Sequence, residues 1–244
     1  MPLNSILVNG AKGRMGRAIL EAAAAAGVRV AAALDRDDPL PADLAGADVA
    51  IDFSQPAATA GLAALAAAAG KPLVIGTTGH SPEERDAVLA AIAPIPVVWA
   101  GNYSVGVTLL NHLARIAAET LDPAFQIELV EMHHRHKKDA PSGTAEKLLS
   151  VLREARRLPR SSVRNGRAGI TGERENDEIG VHALRGGDVV GDHTVIFAGE
   201  GERLELTHRA SSRAIFANGA LRAAQWLTTA PAGLHGMEDV LGLR

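Results

Sequence analysis

An apolar run at residues 6–8 leads into Gly10-Ala11-Lys12-Gly13-Arg14-Met15-Gly16 and then into an alanine-rich stretch with helical spacing at residues 15–26. Strand, glycine turn and helix in that order leave few folds open, because the chain must reverse within a few residues and lay the helix back on the strand. The pattern then repeats. Residues 28–34, 49–53, 73–75 and 96–99 read as β-branched or apolar strands, and residues 56–69 and 82–93 as helices. Pro56 after Gln55 and Pro82 after Ser81 stand where a first helical turn tolerates proline. Strands separated by helices pair in parallel through right-handed crossovers, so an α/β fold with a doubly wound parallel sheet is expected for residues 1–104.

The texture changes after Ser104. A helix is expected at 107–121, an alternating strand at 126–132, a basic loop, then a helix at 142–157. A glycine- and charge-rich loop follows at 159–180, and residues 181–184, 189–198 and 203–209 read as antiparallel strands. A last long helix, 214–227, is placed to pack back on the first domain. The expected division is 1–104, completed by 214–244, and 105–213.

With 244 residues, 47% of them hydrophobic, the chain has ample material for packed cores. A net charge of −3 provides no field to hold a polyanion, which argues against nucleic acid as a partner. The absence of cysteine excludes disulfides, thiolate metal sites and a thiol nucleophile, and fits a reducing, cytoplasmic setting. The apolar runs at the start and at 61–69 are too short for a leader or a membrane span, so no membrane association is expected.

The glycine turn lies where a phosphate-binding loop must lie, letting backbone amides at a helix N-terminus approach a pyrophosphate. Its G-x-x-G-x-x-G spacing is weak alone, but Asp35 ends the second expected strand, 19 residues after Gly16, where an acid can accept hydrogen bonds from ribose hydroxyls. The turns Gly76-Thr77-Thr78-Gly79 and Ala100-Gly101-Asn102-Tyr103 follow two further strands, on the sheet edge where open α/β folds bind ligands. The competing reading is an ordinary glycine-rich turn with a surface aspartate.

The segment from Glu131 to Thr144 (EMHHRHKKDAPSGT) holds three of the nine histidines and two of the five lysines. A site for a dianionic substrate needs cations, a titratable donor and amide donors together. Ser142 is placed to cap the next helix, aiming the amides of Gly143 and Thr144 at a carboxylate. A solvated basic loop is the bland alternative. A metal site is not expected, since no second ligand stands at HExxH spacing.

These residues, with Asn102-Tyr103-Ser104-Val105-Gly106 and the run from Leu206 through Arg213 to Gly219, resemble the 4-hydroxy-tetrahydrodipicolinate reductase (dihydrodipicolinate reductase) family along nearly the whole chain. The resemblance implies a Rossmann-like N-terminal domain and a C-terminal α/β domain with a mixed sheet that builds a homotetramer and carries the substrate loop. It implies NADH or NADPH as cofactor, a small dicarboxylate ring as substrate, and a place in diaminopimelate and lysine biosynthesis. By the same resemblance His133 is the proton donor and Lys137 a second acid–base residue, while His134, Gly143 and Thr144 bind substrate. The cofactor positions become Gly10, Ala11, Lys12, Gly13, Arg14, Met15, Asp35, Gly76, Thr77, Thr78, Ala100, Gly101, Asn102 and Tyr103. Arg36, with Arg14, could accept a 2′-phosphate, so the choice between NADH and NADPH stays open. Another amino-acid-pathway reductase of the same fold and a non-catalytic dinucleotide sensor are the rival functions.

Overall fold

A computed structural model describes residues 2–44 and 46–243. The chain forms two compact units, Met1–Val105 with Arg213–Arg244, and Gly106–Ser212.

In the first unit β1 (Ser5–Asn9), α1 (Arg14–Ala25), β2 (Arg29–Leu34), β3 (Val49–Asp52), α2 (Pro56–Ala68), β4 (Leu73–Ile75), α3 (Pro82–Ile92) and β5 (Pro96–Trp99) follow the expected alternation. Every pairing in the sheet is parallel, and its order is completed at one edge by a strand from the far end of the chain, Gly233–His235. All residues of β1, β3 and β4 are buried, as parallel strands covered on both faces must be. Alternation divides them between two cores. Ile6, Val8 and Ile51 pack with Ile19 of α1 and with Ala217, Ala220 and Leu221, whereas Leu7, Ala50 and Ile75 pack with Leu62 of α2 and Val88 of α3. Each Val, Leu or Ile among them contributes roughly 1.5–3 kcal/mol on burial. Ser81 caps α3 in a full capping box with Glu84, while Gln55 occupies the corresponding place before α2 without a side-chain bond. Because β1 lies between β2 and β3, the strand order reverses there, and the carboxyl ends of these three strands open a crevice.

The second unit contains α4 (Val105–Thr120), whose first residue belongs to the first unit, then β6 (Gln126–His133), α5 (Gly143–Arg156), β7 (Val163–Asn165), β8 (Ile179–Arg185), β9 (Gly191–Ala198) and β10 (Arg203–Ala210). The five-stranded sheet has the order β10-β9-β6-β8-β7 and is mixed. Leu110 and Ala114 of α4 and Leu148, Leu149 and Leu152 of α5 cover one face, against Ile127, Leu129, Val181, Val195 and Phe197.

Two expectations need correction. The stretch between 181 and 184 is part of β8, which pairs in parallel with β6 and β7 rather than antiparallel. The supposed loop 159–180 holds a 3-10 turn, Arg160–Ser162, and the short strand β7. The physical reason lies in Glu128, which receives Arg167 and Arg174 from the return segment and His182 from β8, while Glu178 receives Arg164 and Arg167. These pairs draw the crossover back along β6, and a three-residue strand is too short to announce itself by alternation.

The chain returns to the first unit with α6 (Ala214–Leu227), β11 (Gly233–His235) and α7 (Met237–Leu241). No described helix is long and apolar enough to cross a membrane.

Candidate active site

At the reversal of strand order in the first unit, the glycine turn is shaped by close packing. Gly10 has φ +85°, and a Cβ there would lie 2.3 Å from the Phe53 carbonyl oxygen; a Cβ on Gly16 would lie 2.1 Å from the Gly10 carbonyl oxygen. The amides of Gly10 and Ala11 both donate to the Leu34 carbonyl, and that of Gly13 donates to Gly10. Gly13 is the N-cap of α1, so the amides of Arg14, Met15 and Gly16 have no intrahelical acceptor and mark the positive end of the helix. Asp35 accepts the Lys12 amide at 2.8 Å and the Arg36 amide at 2.9 Å, and these bonds hold its carboxyl below the usual range. A cavity of about 570 Å³ is bordered here by Asn9, Gly10, Gly13, Asp35, Arg36 and Phe53. The free-ended amides of α1 and the glycines that keep the turn's backbone accessible suit a dinucleotide.

The other two turns lie along the same strand ends. Thr77 is buried and accepts the Ser54 amide at 2.9 Å, whereas Thr78 and Gly101 are exposed. Gly76 has no room for a side chain, because a Cβ would meet the Phe53 ring at 2.2 Å. Ala100 and Asn102 are partly exposed. Tyr103 differs from the rest. Its ring is 5.5 Å from that of Phe53, its hydroxyl reaches the carbonyls of Ile75 (2.8 Å) and Val98 (3.0 Å), and burial pushes the phenol pKa up. Its side chain belongs to the core, so only its backbone could face a cofactor.

In the second unit, β6 carries Glu131 and His133 on one face, two residues apart as strand periodicity requires. Register supplies their neighbours: His133 stands opposite Arg185 on β8, and Glu131 opposite His193 on β9. Glu131 is fully buried. Its carboxylate lies 2.6 Å from His133 Nδ1, accepts two bonds of 2.8 Å from the Arg185 guanidinium, and accepts the Ser142 amide at 3.1 Å. Burial opposes ionisation of Glu131, but Arg185 and His133 outweigh it and the pKa falls. His193 is packed edge-on to His133, with ring centroids 5.2 Å apart, and its Nε2 lies 3.1 Å from Ser142 Oγ. Burial, reinforced by the charge of His133, drives its pKa down to about 4, so it is neutral near pH 7.

Ser142 Oγ accepts the Ala145 amide at 3.2 Å and caps α5. Gly143 and Thr144 therefore occupy the first turn, at the positive end of the helix. The loop between β6 and α5 is tied by its backbone to the glycine-rich turn before β9, through His134 to Val189 and Arg135 to Gly187. Lys137 pairs with Asp139 at 2.9 Å. A Cβ on Gly191 would lie 2.9 Å from His133 Nε2, so glycine there keeps the space beside that nitrogen open.

His133, Ser142 and the start of α5 are thus joined through Glu131, while His134 and Lys137 lie on the connecting loop. Sequence reasoning missed Arg185 and His193 as members of this cluster. The signal for Glu131 was present in the Glu-x-His spacing of a strand. Arg185 and His193 depend on β6 pairing in parallel with β8 and antiparallel with β9, neither of which the local pattern revealed.

The family described as "Dihydrodipicolinate reductase, N-terminus" matches residues 4–103, and "Dihydrodipicolinate reductase, C-terminus" matches residues 106–241. A 4-hydroxy-tetrahydrodipicolinate reductase from Akkermansia muciniphila is 57% identical over 241 residues, covering 98% of both chains. One from Thiobacillus denitrificans is 49% identical over 263 aligned positions, again covering 98% of both. Among solved structures, a dipicolinate-bound dihydrodipicolinate reductase from Paenisporosarcina sp. TG-14 has the same fold, with a TM-score of 0.79 at 24% identity over 98% of this chain and 99% of that one. The chain belongs to the dihydrodipicolinate reductase family.

Proposed function

We propose that this chain reduces 4-hydroxy-tetrahydrodipicolinate to tetrahydrodipicolinate, with loss of water, in the diaminopimelate route to lysine. Family membership across both units carries the reading. A bound nicotinamide dinucleotide would supply the hydride. The amides at the start of α1, with the turn Gly10 to Met15, would hold its pyrophosphate, and Asp35 would accept from an adenosine ribose hydroxyl. Gly76, Thr77, Thr78, Ala100, Gly101, Asn102 and the Tyr103 backbone would border its other half. Arg14 and Arg36 would partly offset the repulsion between Asp35 and a 2′-phosphate, so both NADH and NADPH are used, with NADH at least equal.

The second unit would bind the dianion. The first-turn amides of α5 at Gly143 and Thr144, with His134, hold a carboxylate, and Lys137 is a second acid–base group. His133 gives the proton that the ring carbon requires after reduction. Glu131 engages Nδ1, which leaves Nε2 as the reacting nitrogen. We further propose a homotetramer built on the second unit's sheet and a cytoplasmic location.

The test is cofactor oxidation by the purified chain with the ring dicarboxylate, run with NADH and NADPH. Turnover with both is expected. A kcat/KM ratio favouring NADPH by about a hundredfold, ~2.7 kcal/mol, contradicts the role given to Asp35. Cofactor binding without turnover would instead identify a dinucleotide sensor.

A further inference from the structure

Asp52, the last residue of β3, is fully buried, and none of the roles above uses it. Its carboxylate is met by four neutral side-chain donors. Asn9 Nδ2 (2.9 Å) and Ser54 Oγ (2.5 Å) donate to Oδ1, while Thr59 Oγ1 and Thr77 Oγ1 donate to Oδ2, each at 2.8 Å. The donors come from four places: the end of β1, the residues after β3, the first turns of α2 and the turn after β4.

Two of these groups also bond to one another, as Asn9 Nδ2 lies 3.1 Å from Ser54 Oγ. The Ser54 amide donates to Thr77 Oγ1 at 2.9 Å. His80 joins from outside: Thr59 has a single hydroxyl proton, given to Asp52, so the 3.0 Å contact with His80 Nε2 is donated by the ring. Each hydroxyl therefore has a defined direction, and the network converges on one carboxylate.

Burying a carboxylate without a cationic partner is expensive, and an apolar residue at the end of a covered strand would serve stability as well or better. What an apolar residue could not do is fix the strand ends relative to one another. Asn9 and Ser54 line the cavity described above, and Thr77, the second residue of the turn after β4, is joined to it through the Ser54 amide.

We propose that Asp52 is a positioning residue for the dinucleotide: it sets the spacing of the strand ends bearing Asn9, Ser54 and Thr77 and so governs cofactor affinity through them. The proposal rests on the reading that this cavity takes NADH or NADPH. Asp52→Asn keeps the shape of the side chain but presents an amide to hydroxyls that need an acceptor, leaving at least one of them unpaired.

The experiment is calorimetric titration of the full chain with NADH, together with substrate KM and thermal melting. Asp52→Asn is expected to weaken NADH binding about tenfold, with substrate KM changed less than twofold. Thr59→Val removes one donor away from the cavity and is expected to weaken NADH about threefold, with Thr59→Ser restoring it; this pair decides the matter if Asp52→Asn does not fold. A folded Asp52→Asn protein that melts earlier yet binds NADH as tightly as the parent has lost stability only, and the positioning role is overturned. Equal affinity in Thr59→Val and Thr59→Ser, or a substrate KM that rises as far as the NADH dissociation constant, overturns it as well. A parent chain that binds neither NADH nor NADPH removes the cavity reading itself, and the proposal with it.

Discussion

Glu131 and His133 lie on the same face of one strand with the carboxylate 2.6 Å from Nδ1, and the same carboxylate is clamped by Arg185. The clamp fixes the acid, and the acid fixes the ring. A histidine so held has only Nε2 left for chemistry.

Replacing His133 by Gln or Lys137 by Ala is therefore expected to lower turnover by roughly two to four orders of magnitude. NADH affinity, measured by titration, should not move, since both residues belong to the second unit and the glycine turn to the first. Changes at His134 or Thr144 should act on substrate KM, because holding a carboxylate counts equally in ground and transition states. Parental turnover in the His133 variant would remove its role as proton donor.

Gly191→Ala tests the same nitrogen from the opposite strand. The added Cβ would sit 2.9 Å from Nε2, and the ring cannot retreat without breaking its bond to Glu131. Relieving that contact displaces the ring by a fraction of an ångström, and because misplacing a reacting group by about 1 Å costs about a hundredfold, a fall in turnover of up to that size is expected. Steady-state rates beside an unchanged NADH dissociation constant would bear this out, whereas an unaffected rate would point the chemistry elsewhere.

His193 sets a pH window. Its native pKa of about 4 lies below the ordinary 6.5, so below pH 6.5 the unfolded chain binds a proton that the native one refuses. Its contribution to stability is full above 6.5 and is lost progressively as pH falls towards 4. Urea midpoints for His193→Gln should decline less than the parent's across that interval, and the parental ring should titrate near pH 4 by NMR.

Glu128 behaves similarly at lower pH. Burial opposes its ionisation, but bonds from Arg167, His182 and Arg174 prevail and bring the carboxyl to about 2 from 4.5. The stability it contributes is complete above 4.5 and disappears as pH falls towards 2. Glu128→Gln should flatten the acid limb of the urea midpoint curve and speed hydrogen exchange in β7 and in the segment leading to β8. Unchanged exchange would mean that the arginine pairs do not hold this crossover.

β10 is an edge strand paired only with β9, and it exposes Leu204. Such edges are usually covered. Sedimentation at micromolar concentration should give the mass of four chains; a monomer would contradict the assembly proposed above.

The first unit was largely legible because its signals are local. The strand Val49–Asp52, buried on both faces, carries the continuous apolar run Val49-Ala50-Ile51, and a glycine with φ +85° between strand and helix marks the turn. Tyr103 shows the limit of that legibility: its place in the turn marked it as a cofactor position, but the side chain found two carbonyls inside the core. In the second unit the segment from Glu131 to Thr144 stood out by residue type, His133 was singled out within it by the family resemblance, and Ser142 was marked as a cap by its place before a helix. Arg185 and His193 were hidden because their roles follow from which strands β6 pairs with, a long-range choice that no local pattern announces. Asp52 was hidden for the opposite reason, since a lone acid at the end of an apolar run gives no sign of the four donors converging on it.

The return of α6 and β11 to the first unit has a consequence for synthesis. The six-stranded sheet receives both its edge strand and the helix that covers Ile6, Val8 and Ile51 from residues encoded after the entire second unit. As the chain leaves the ribosome, the second unit has all its residues while the first still lacks one wall of its core. The earliest-made strands must wait, with apolar surface uncovered, for a helix made after the second unit. Premature termination anywhere after Ser212 would therefore strike the opposite end of the polypeptide, leaving the later-encoded unit with its own core intact.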